Sequence, residues 1–111
     1  MKPIDVFKHE ISGMAKELNM RDWDLTVTEG KINTDDEANV ISSSQSRVAS
    51  IIMSKSIKKD ESYIRRVGRH ESWHLFLANY RELARNRWTT EAELDREEER
   101  MCTVLEKFEL V

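Results

Sequence analysis

His70 and His74 stand four residues apart in the run His70-Glu71-Ser72-Trp73-His74, with a glutamate directly after the first histidine. On an α-helix, residues four apart project from one face, one turn apart, so the two imidazoles can hold a single metal ion. Neutral imidazole nitrogens suit zinc, and Glu71 is placed to take a proton from a water on that ion. The chemistry this spacing serves is metal-assisted hydrolysis. The bland alternative is a surface helix that carries two histidines by chance.

Such a pair works only on a helix, and the flanking residues supply one from about Asp60 to Asn86. Asp60 can cap the N-terminus, and the basic run Arg81 to Arg87 suits the C-terminal end of the dipole. The apolar run Leu75-Phe76-Leu77-Ala78 follows the motif, as expected of a helix buried on several sides. Ile64, Val67, His70 or Glu71, His74 and Ala78 share one broad face, while Trp73, Phe76, Leu77 and Tyr80 spread over another. Gly68 costs about 1 kcal/mol relative to alanine in mid-helix, so close packing against another element is expected there.

Upstream, Pro3 can open a first helix. Its apolar stripe is Ile4, Phe7, Ile11, Met14, Ala15 and Leu18, with Asn19 as the stop. His9 sits off that stripe and reads as solvated. Trp23 to Thr28 alternates apolar and polar residues as a strand does, and Gly30 ends it. Lys31 to Glu37 is a polar loop, and Ala38 to Ser42 a short second strand. Ser42 to Ser46 is a hairpin connection. Arg47 to Ile57 carries the clearest strand signal, with Ile51-Ile52 marking either a bulge or burial on both sides.

Downstream, Thr90-Glu91-Ala92-Glu93 is a capping box that opens a last helix. Leu94, Met101, Val104 or Leu105, and Phe108 mark its buried face. Glu98 falls near the centre of the stripe Leu94, Met101, Leu105 and Phe108, with Glu97 beside it and Glu99 pointing away. A carboxylate on an apolar face is costly unless it is paired or bound to metal. A small rotation of this helix would exchange Glu98 and Glu97.

The expected fold is α+β, a single domain over residues 1–111. It has an N-terminal helix, a small antiparallel sheet of two to three strands, the long histidine helix and a C-terminal helix. Charged residues make up 35% and apolar ones 39% of the 111 residues, and the net charge is −3. Neither a membrane partner nor, from charge alone, a nucleic-acid partner is implied. One cysteine, Cys102, excludes an internal disulfide, and the N-terminus lacks a secretory apolar core, so a cytoplasmic location is expected.

This order of elements around His-Glu-x-x-His resembles the minimal core of gluzincin-type metallopeptidases. The nearest likenesses are the compact ImmA/IrrE-like peptidases and the small metallopeptidases common in phage genomes. Trp23 to Val27 resembles their first strand, Val48 to Met53 the strand before the active helix, and His70 to Leu77 the metal helix. The resemblance implies zinc bound by His70, His74 and a glutamate of the last helix, Glu98 or else Glu97, with Glu71 as general base. The Glu-Ala-Asn segment that usually supplies the third ligand in the ImmA/IrrE-like group is absent. The resemblance further implies a peptide or protein substrate, added as a strand along Arg47 to Met53. It also implies an oxyanion-stabilising side chain, for which Tyr63, Tyr80 and His9 are candidates.

Two other functions compete. A binding or regulatory module could keep this fold without turnover, although Glu71 has no use in a purely structural site. A nucleic-acid contact could use Lys55, Lys58, Lys59, Arg65, Arg66 and Arg69, but no stacking aromatics are interleaved with them.

Overall fold

A computed structural model describes residues 1–32 and 35–105. The order is α1 (Pro3–Glu17), β1 (Asp24–Gly30), β2 (Ala38–Ser43), β3 (Val48–Ser54), α2 (Glu61–Arg85) and α3 (Glu91–Leu105). The chain is thus α+β, with the helices in the expected order around a small sheet. No helix among the described residues is long and apolar enough to cross a membrane.

The ends of the helices follow from local chemistry. Asp60 accepts hydrogen bonds from the backbone N–H groups of Ser62 and Tyr63 and so caps α2. Thr90 and Glu93 bond reciprocally at the start of α3, as a capping box does. At the end of α1, Asn19 takes φ 60°, and the N–H of Met20 reaches back to the carbonyl of Ala15 at 2.7 Å. This is a Schellman closure with asparagine in the left-handed position.

The sheet is mixed, which corrects the expected antiparallel arrangement. Its order is β1-β3-β2, with β3 parallel to β1 and antiparallel to β2. The physical reason is burial. Ala49, Ile51 and Met53 of β3 are all but inaccessible, whereas no residue of β1 is fully buried. The most apolar strand therefore takes the centre, and β2 with its two loops serves as the crossover between the parallel pair. The pairing runs unbroken through Ile51 and Ile52, so there is no bulge. Ile52 lies on the opposite face of the sheet, half-buried, against Gly30.

α1 and α2 cover one face of this sheet, and α3 packs on α2. Phe7 and Ile11 of α1, Ile51 and Met53 of β3, and Ile64, Leu75 and Phe76 of α2 join in one core. A Cβ added at Gly68 would stand 3.2 Å from the Cβ of Glu10, so α1 packs tightly against α2 at this glycine.

Candidate metal centre

The buried stripe of α2 runs Ile64, Gly68, Glu71, Ser72, Leu75, Phe76 and Ala78. It turns Leu77 and Tyr80 outward, 41% and 43% exposed, where an apolar second face was expected. His70 and His74 lie at the solvent border of the stripe, and Glu71 lies inside it at 8% exposure. The Nε2 atoms of the two histidines are 3.1 Å apart. Two nitrogens bound tetrahedrally to one zinc at 2.0–2.1 Å would stand about 3.3 Å apart. Potential ligand atoms of His70, Glu71 and His74 all fall within 4.8 Å of one another. The donor set thus fits a metal ion, and both imidazoles are exposed to solvent.

Glu71 combines burial with proximity to charge. Burial pushes its carboxyl above the usual glutamate range, His74 and His70 pull it back, and Asp36 pushes it further up. Asp36 belongs to the loop before β2 and carried no signal in the sequence beyond being one acid in a polar stretch. It nears the site because β2 runs along α2 in the same sense. Asp36 acts on Glu71 at one end, while the N–H and hydroxyl of Ser44 bond the carboxylate of Glu82 at the other.

The last helix presents a different acid from the one expected. Leu94, Glu97, Met101 and Val104 turn inward, while Glu98 is exposed and Leu105 is 39% exposed. Phe108, expected on the same stripe, lies outside the described residues. Glu97 is 5% exposed and accepts from the Nδ2 of Asn79 at 2.6 Å and from the Nε of Arg100 at 3.0 Å. Asn79 follows His70 by nine residues and His74 by five, which places it about 180° and 140° around the helix from them. The acids of α3 therefore meet the far side of α2. Among the described residues, the structure brings neither Glu98 nor Glu97 into the group formed by His70, Glu71 and His74.

The remaining candidates separate clearly. Tyr80 lines one groove with His74. Tyr63 packs against the core with the Lys58 ammonium 6.0 Å from its ring centre, and His9 is exposed on α1. Arg47 to Met53 cannot receive an added strand, because β3 is paired on both sides and the free edges belong to β1 and β2. Within the basic stretch, Arg65 is paired with Glu10 and Glu61, and Arg69 with Glu10.

Comparison with protein-family models, with curated proteins and with solved structures returns no match.

Proposed function

We propose that the chain is a metal-dependent hydrolase of peptide bonds, with zinc at His70 and His74 and Glu71 as general base. The observation that carries this reading is the pair of imidazole nitrogens 3.1 Å apart beside a buried carboxylate. When bound, zinc supplies Lewis-acid polarisation of a carbonyl and lowers the pKa of water. The chain's own part is to hold and move the proton. Glu71, buried beside the two histidines, is the carboxylate placed to hold that proton. It accepts a proton from the attacking water and can return it to the leaving amine. Leu75 and Phe76, one turn on, anchor this part of α2 in the core.

A peptide substrate is supported by the free outer edge of β2, which flanks the groove at His74 and offers unpaired backbone groups. The likeness to compact zinc metallopeptidases supports the same reading through the motif and the order of the elements. Protein purified without added zinc should contain about one zinc per chain, and His70→Ala and His74→Ala should each lose most of it. Unchanged metal content in both variants would contradict the proposal.

A further inference from the structure

The geometry points to a groove that selects acidic extended peptides, with carboxylates on alternate residues held by Arg81 and Arg85. The inference rests on the hydrolase reading only for where the cleaved bond lies; the binding itself stands apart from turnover.

The groove encloses about 760 Å³ between β2 and the C-terminal half of α2, and it begins at His74. Val40, Leu77 and Ala78 give it an apolar lining. Glu82 is the acid among its lining residues, and that carboxylate is occupied by the N–H and hydroxyl of Ser44. Arg81 and Arg85 are exposed, and among the described residues neither pairs with an acid. The groove therefore carries positive charge with no internal partner, and a carboxylate complements it.

The spacing specifies the pattern. Residues four apart on a helix are separated by about 6 Å along the axis. Alternate residues of an extended strand are about 6.7 Å apart and point to the same side. A strand laid along the groove can thus offer carboxylates at two positions, separated by one residue, to the two guanidinium groups. Arg81 lies about 10 Å beyond His74, and Arg85 about 16 Å. At about 3.3 Å per residue these match the third and fifth residues from a bond held at His74. β2 runs in the same sense as α2, so a peptide pairing antiparallel with its free edge runs from Arg85 towards His74. The acidic residues then lie on the N-terminal side of that bond.

The test uses zinc-loaded Glu71→Gln protein, which removes the base and so leaves bound peptide intact. Three fluorescein-labelled extended peptides are compared by fluorescence polarisation, identical except for Glu, Gln or Lys at two alternate positions. The Glu peptide should bind about tenfold more tightly than the Gln peptide at low salt, an advantage that shrinks as salt rises. Arg81→Gln with Arg85→Gln should abolish the difference, and Arg81→Glu with Arg85→Glu should turn it in favour of Lys. Both arginines are exposed, so melting temperatures should stay unchanged. Equal affinity for the Glu and Gln peptides, or a preference that survives the double substitution, overturns the inference. Dimerisation lost on the same substitutions would give the groove to a second copy of the chain and overturn it as well. Charge-selective binding without cleavage by the wild-type protein would count against hydrolysis alone, whereas cleavage without charge preference would count against the groove alone.

Discussion

Glu97 accepts a 2.6 Å hydrogen bond from Asn79 on the side of α2 turned away from His70 and His74. A buried carboxylate needs such partners, and Arg100 supplies the rest. The bond ties α3 to α2 on the side opposite the two histidines.

The two acids of α3 should therefore separate in mutagenesis. Glu97→Ala should cost about 2 kcal/mol of stability, because Asn79 and Arg100 lose their common acceptor. Glu98→Ala should change stability by less than about 0.5 kcal/mol, as an exposed substitution does. Zinc content should match wild type in both. Loss of zinc in the Glu98 variant with its stability intact would place the third ligand on α3 after all.

Gly68 faces the Cβ of Glu10 across the α1–α2 contact. Alanine would gain about 1 kcal/mol of helix propensity but must push α1 outward at a point with little slack. Gly68→Ala should lower stability by about 1 kcal/mol in denaturant titration. A more stable variant would mean that the two helices separate freely.

Much of this arrangement was legible from the residues. The helix periods, the Asp60 cap and the Thr90–Glu93 box are local, and local chemistry decides them. Gly68 signalled a close approach because nothing else justifies glycine in mid-helix. What stayed hidden depends on tertiary choices. Strand order followed from competition for the buried centre, which Val48 to Ser54 won, and no pattern within one strand records that contest. The register of α3 turned on whether Val104 or Leu105 faces inward, a rotation that exchanges Glu97 and Glu98. Asp36 reached Glu71 through the path of β2, which its own surroundings in sequence do not encode.

The raised carboxyl of Glu71 makes stability depend on pH in the metal-free protein. The folded state holds this proton more tightly than the unfolded chain does. Folding is thus favoured below the ordinary glutamate range, near pH 4, and loses that advantage as pH rises through the folded value. Glu71→Gln removes the cost of burying the charge. In the presence of a chelator it should raise the melting temperature at pH 7, and the gain should shrink as pH falls. A gain independent of pH would mean that packing, not ionisation, causes it.

Cleavage of an unfolded protein such as casein, by zinc-loaded wild type beside zinc-loaded Glu71→Gln, tests hydrolysis at this centre most directly. Wild type should release new amino termini, lose that activity to a chelator and regain it with zinc. Glu71→Gln should keep about one zinc per chain and show no cleavage, because an amide cannot accept the proton. A wild-type protein that holds zinc and cleaves nothing, or a Glu71→Gln variant that cleaves at the wild-type rate, would contradict the account.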